Sequence, residues 1–338
     1  MAVRMKDIAQ DLGVSIVTVS KVLNNHRDIG AATRERVLRR MKELNYQPSL
    51  AAQGLASNQS FMVGLIVPDL VHAFFSEVAQ SLCSVIRREG FGLVISSSNG
   101  DSRLEQEEIR LMVRRRVDVL VLASCQDDSK SLREVAKEVP LILLDRRFKD
   151  LDVNFVGTDD VAIGQIATEH LIQMGYKRIA HIGDRNASTG SGRLQGYKNA
   201  LSRRKIAVSE TYILHRSLSN ESGDTAGRRA MEKLLTLKPR PDAVFCFNDP
   251  AAIGAMNAVI AAGLKIPEDI AIVGAGNIRY AESFKVPLST VEVSRSALGE
   301  AVGELALQLT ANKKSKRRTS IVIQPKLIVR ESSGAKPQ

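Results

Sequence analysis

The sequence predicts an all-α helix-turn-helix headpiece followed by a large α/β domain, built as two lobes of doubly wound parallel sheet. Three observations predict it. Residues 1–46 carry three short amphipathic helical patterns, the first two joined by a glycine turn. From residue 61 onward, short apolar strands alternate with amphipathic helices, the pattern of parallel sheets wrapped by helices. Eight or more such strands suit two lobes better than one sheet. The expected division is a headpiece at 1–46, a hinge at 47–60 and the large domain at 61–338.

In the headpiece, Lys6 to Leu12 forms the first helix, with Ile8, Ala9 and Leu12 on its apolar face. Gly13 ends it, because glycine enters a left-handed turn at no steric cost. Ser15 is placed to cap a second helix running to about Leu23. Val19, Val22 and Leu23 fall on its inner face; Ile16, Val17, Ser20, Lys21 and Asn24 fall on the other. Two β-branched residues at the head of an outer stripe need a cover. Thymine methyl groups in a major groove supply one, and the headpiece core is the alternative. Lys21 offers one charge to a guanine edge or a phosphate, and Asn24 and His26 follow at the helix end. Thr33 to Leu44 makes a third helix with Val37, Leu38, Met41 and Leu44 inward. Its arginines, Arg34, Arg36, Arg39 and Arg40, serve contact or solubility.

Charge agrees with a polyanionic partner. The chain holds 48 Lys and Arg against 37 Asp and Glu, a net +11, and residues 1–60 alone hold nine against five. No apolar run approaches the ~18–20 residues of a membrane span. The N-terminus lacks the apolar stretch of an export signal, so the chain is expected in the cytoplasm, away from membranes. Cys83, Cys125 and Cys246 are far apart and lie in apolar stretches, as buried free thiols do. Neither they nor the five histidines show metal spacing, so no cofactor or metal is expected.

The run Met5-Lys6-Asp7-Ile8-Ala9, then Gly13-Val14-Ser15, Thr18-Val19-Ser20-Lys21-Val22-Leu23-Asn24 and Thr33-Arg34-Glu35-Arg36-Val37, resembles the headpiece of the lactose/galactose repressor family. Tyr46 to Leu55 resembles that family's hinge. The resemblance continues through Asp159–Gly164, His170–Tyr176, Arg193–Tyr197, Asn248–Gly254, Gly263–Asp269 and Pro325–Ser332. It implies a sequence-specific DNA-binding regulator, a repressor of a carbohydrate-related operon. It also implies a fold like that of periplasmic sugar-binding proteins, a palindromic operator and a homodimer. The hinge is implied to fold when two subunits meet on DNA, with Leu55 wedged into the minor groove. Gln53 stands where many relatives carry arginine.

Ligands of doubly wound folds bind at the carboxyl ends of strands. Asp69, Phe74, Phe75, Ser124, Asp145, Asn248 and Asp249 lie just past strand patterns, and Arg193 precedes a helix. Polyols want carboxylates, amides, an arginine and an aromatic face. The expected effector contacts are Phe74, Asp145, Arg193, Asn248, Asp249 and Arg295. The chain departs from the family at Gly274-Ala275-Gly276-Asn277, where relatives often carry Gly-Phe-Asp-Asp. A lost acid at Gly276 and a base at Arg295 suggest an anionic effector, a sugar acid or sugar phosphate.

Other readings fit less well. Gly190-Ser191-Gly192-Arg193-Leu194-Gln195-Gly196 imitates a dinucleotide loop but lies away from the strand-helix turn where such a loop must sit. A transport-linked binding protein needs an export signal and no headpiece. An architectural DNA bender has no use for the large domain. The sequence predicts no enzyme.

Overall fold

The structure, a computed structural model, describes residues 3–23, 26, 28–46, 59–184, 188–215, 223–312 and 317–334. It divides into two compact units, Met1–Phe61 and Met62–Gln338.

Among the described residues the first unit holds three helices, α1 (Met5–Leu12), α2 (Ile16–Leu23) and α3 (Ala31–Glu43). The Asp7 carboxylate accepts the Arg4 amide at 2.8 Å and opens α1; Gly13, at φ 65°, closes it. Ser15 Oγ accepts the Thr18 amide at 3.0 Å, the cap expected for α2. Ile8, Ala9, Val19, Val22, Val37 and Met41 form the core. Leu38, expected inward, is 49% exposed: one position beyond Val37, it is turned about 100° from the Val37/Met41 face.

Among the described residues the second unit forms two six-stranded sheets. The first lobe has the order β11-β5-β4-β3-β1-β2, from β1 (Met62–Val67), β2 (Gly92–Ser97), β3 (Val119–Leu122), β4 (Leu141–Leu144), β5 (Asn154–Thr158) and β11 (Ser320–Ile323). The second has the order β12-β10-β9-β8-β6-β7, from β6 (Ile179–Gly183), β7 (Ile213–His215), β8 (Ala243–Cys246), β9 (Ala271–Gly276), β10 (Ser289–Glu292) and β12 (Lys326–Ile328). All pairings are parallel except β10 with β12.

The helices are α4 (Ala73–Arg87), α5 (Ser102–Arg114), α6 (Lys130–Glu138), α7 (Asp160–Gln173), α8 (Ser188–Arg203), α9 (Gly223–Leu235), α10 (Asp249–Ala261) and α11 (Arg295–Ala311). The chain passes between lobes three times: from β5 into α7, from β10 into α11, which packs on α4, and from β11 into β12. Each lobe has its own apolar core, around Leu120, Leu122 and Leu143 in the first and around Val244, Ile272 and Met231 in the second. Cys246 is buried, whereas Cys83 and Cys125 are only half-buried, a correction to the expectation of three buried thiols. Among the described residues no helix is long and apolar enough to cross a membrane.

Candidate nucleic-acid interface and ligand cleft

On the headpiece, α2 turns Val19 and Val22 into the core and leaves Ile16 46% and Val17 63% exposed. The alternative that these two complete the core is thereby removed. Helical spacing sets Ser20 one turn beyond Ile16, and Lys21 one turn beyond Val17, so the four share one outward stripe. Lys21 is ion-paired with Asp28, both about half-exposed, and this pairing holds the Asp28 carboxyl below its usual range. Solvent screens an exposed pair of this kind, so a DNA phosphate or base can replace Asp28 cheaply. His26 is exposed, and its amide donates to the Lys21 carbonyl at 3.0 Å. Asn24 and Leu55 lie outside the described residues. Three of the α3 arginines do structural duty: Arg34 donates to the His26 carbonyl, Arg36 to the Leu12 carbonyl at 3.0 Å, and Arg40 to Asp11 at 2.7 Å. They lock α3 to the helix-turn-helix.

In the larger unit, the strand ends of both lobes converge. Arg193 on α8 is 8% exposed; its Nε donates to Asp160 at 3.0 Å and its Nη1 to the Phe247 carbonyl. Gly164 makes this reach possible. A side chain there would put its Cβ 1.9 Å from the Arg193 carbonyl oxygen, so α7 and α8 approach backbone to backbone. Gly196 plays the same part against Val161, which explains the glycine run by helix packing without a phosphate loop.

Asp145 lies just past β4, in the left-handed region at φ 65°. Its Oδ1 is buried with no hydrogen-bond partner among the described residues, an arrangement that costs free energy unless a ligand completes it. Burial and the neighbouring Asp160 push its carboxyl up to about 7, against the opposing pull of Arg193.

His72 was not singled out from the sequence, although it stands between the strand-end candidates Asp69 and Phe74. Its Nδ1 accepts the Phe74 amide at 3.3 Å, capping α4. This bond places the neutral ring's proton on Nε2, leaving a donor. Burial, then Arg193 and Arg295, lower its pKa, while Asp69 opposes them. Half-buried Phe74 packs edge-on against Phe75, with ring centroids 5.0 Å apart.

Other expected contacts are engaged within the protein. Asn248 caps α10, its Oδ1 accepting the Ala251 amide at 2.9 Å. Asp249 is fully buried, with Oδ1 taking the Thr290 hydroxyl at 2.6 Å and Oδ2 the Ile278 amide at 2.8 Å. Arg295 is likewise occupied, by Glu77 at 2.8 Å, the Asn277 carbonyl at 2.8 Å and the Gly276 carbonyl. Ser124 donates to buried Glu105 at 2.7 Å, and Asp69 takes the Val71 amide at 2.8 Å. Arg295, the arginine behind the expectation of an anionic effector, is thus already paired with a carboxylate, as is Arg193.

Comparison with known proteins decides what these two surfaces belong to. The model for bacterial regulatory proteins of the lacI family matches residues 4–49, and that for periplasmic binding proteins and the sugar binding domain of the LacI family matches residues 60–330. The chain belongs to the lacI family. LacI-family relatives include the ribose operon repressor of Haemophilus influenzae, 35% identical over 97% of this chain and 98% of that one. The HTH-type transcriptional repressor PurR of Vibrio vulnificus is 33% identical, with 97% and 98% covered. Among LacI-family structures, the lac repressor dimer bound to operator and the anti-inducer ONPF superposes with a TM-score of 0.87 at 25% identity, covering 99% of this chain and 100% of that one. The transcriptional regulator CelR in complex with cellobiose gives 0.74 at 26%, covering 98% and 99%. As a LacI-family member the chain is a DNA-binding transcription regulator, not an enzyme.

Proposed function

We propose that the protein represses a carbohydrate-related operon as a cytoplasmic homodimer on a palindromic operator, under control of a neutral polyhydroxyl effector bound between the lobes. Residues 1–46 read DNA, 47–60 act as hinge and 61–338 bind effector and partner. Ser15, Ile16, Val17, Ser20, Lys21, Asn24 and His26 face the major groove, and Leu55 enters the minor groove. Phe74, Asp145, Arg193 and Asn248 contact effector, joined by His72; Asp249 and Arg295 support them from behind.

The observation that carries the effector class is the unpartnered buried oxygen of Asp145 beside an arginine already neutralised by Asp160. An acceptor in want of a donor suits a sugar hydroxyl and repels a phosphate or carboxylate. Calorimetry with D-ribose, cellobiose and other neutral sugars, set against ribose 5-phosphate and gluconate, tests this. Binding of a neutral sugar that Asp145→Asn weakens at least tenfold is the expected result. Tight binding of only the anions would overturn the neutral class.

A further inference from the structure

Arg295 is the first residue of α11, at the second passage between lobes, and its side chain is 11% exposed. Its guanidinium holds three acceptors in two lobes: Glu77 on α4 in the first, and the carbonyls of Gly276 and Asn277 at the end of β9 in the second. Each anchor is stiff. Glu77 precedes the buried Val78 and Ala79, on a helix so close to α11 that a Cβ at Gly299 would lie 2.5 Å from the Val78 carbonyl oxygen. On the other side, the Asn277 side chain takes Arg330 at 2.9 Å and donates to Glu292 at 3.0 Å, while Asp249 holds the next amide.

The backbone at these carbonyls is unusual. Gly276 has φ 131° and Asn277 φ 50°, so two successive residues leave the ordinary right-handed regions. The first conformation is open to glycine and strained for an aspartate. The missing acid at Gly276 and the base at Arg295 therefore belong to one arrangement, in which a turn presents two carbonyls to an arginine.

We propose that Arg295 is a positioning residue, an interlobe latch that sets the angle between the lobes and passes the state of the β9 turn to α4. The proposal rests on the cleft being the effector site, but the latch itself is read without any effector. A change of interlobe angle alters the separation of Glu77 from Gly276 and Asn277, and one planar guanidinium cannot keep all three bonds through it.

The test is an interlobe distance measured by pulsed electron-electron spin resonance on the full chain. Spin labels go on exposed Glu107→Cys of α5 and Lys233→Cys of α9, with Cys83 and Cys125 changed to Ser and buried Cys246 left in place. Without ligand, the latch predicts a narrow distribution that Arg295→Met shifts, raising the ratio of displaced to native lobe arrangement on the order of tenfold. Glu77→Gln shifts it the same way and less, keeping one neutral bond and guarding against a misfolded Arg295 variant. Arg178→Met, whose Asp242 partner lies in the same lobe, leaves it unchanged. Unchanged distances in both folded latch variants would overturn the proposal, as would loss of sugar binding by Arg295→Met with no change in distance. Shifted distances in a protein that binds no sugar uphold the latch and sink the effector reading alone.

Discussion

Arg193 and Asp160 form a nearly closed ion pair, 3.0 Å apart with side chains 10% and 13% exposed, at the point where the chain first passes between lobes. Asp145 senses the same guanidinium from the first lobe. One arginine therefore serves two carboxylates.

Removing that arginine should be costly. Arg193→Met strands Asp160, and the loss is expected at about 3–5 kcal/mol of unfolding free energy in urea titration. The double variant Arg193→Met/Asp160→Asn should recover a large part of it. A single-variant loss under about 1 kcal/mol would show the pair to be a surface-type contact.

Asp145 imposes a pH dependence of known sign. Its folded pKa, about 7, lies above the ordinary 3.8, so the folded state holds the proton more tightly between those values. Its contribution to stability is complete below about pH 4 and is lost as pH rises through about 7. Asp145→Asn should flatten this slope and stabilise the ligand-free protein at pH 8. A sugar hydroxyl donating to the ionised carboxylate reverses the preference, so affinity should rise through the same window, as calorimetry at several pH values would record.

His72 works in the opposite sense. Its folded pKa is lowered from 6.5, so its contribution is present above that value and is lost as pH falls below it. Protonation also removes the Nδ1 lone pair that caps α4. His72→Asn keeps a good cap and should remove the acid-side loss from melting curves between about pH 5 and 7. An identical acid slope in the variant would place the titrating group elsewhere.

At the DNA surface, Val17→Ser should reduce affinity for the preferred site by about 1–3 kcal/mol while sparing random DNA, if its methyls meet thymine. Lys21→Ala should cost a similar amount at the preferred site for a base contact. Uniform weakening across sequences, with a shallower salt slope, would assign it to phosphate. Filter binding on matched specific and random duplexes separates these cases.

Much of this architecture was legible in the sequence because periodicity and turn chemistry are local. Met62–Val67, Gly92–Ser97 and Leu141–Leu144 are short apolar strands of the alternating kind read from the sequence, and Gly13 and Ser15 punctuate α1 and α2 as read. The short strands Ile213–His215 and Lys326–Ile328 and the polar-flanked Ser289–Glu292 are too brief for a period to register. Candidate ligand residues were found by strand-end position, but position does not reveal partners. Asp249 is held by Thr290 and Ile278, both remote from it in sequence. Arg295 proved to be held by Glu77, 218 residues away, a relation no local pattern encodes. His72 escaped notice because a histidine is an unusual cap.

The most direct test of the central claim is selection of bound sequences from a random DNA pool by the purified chain at ~150 mM salt, where purely electrostatic binding is weakened. The account predicts a palindrome, lost when Val17 and Lys21 are both replaced. Recovery of no motif, with or without neutral sugars, would contradict it.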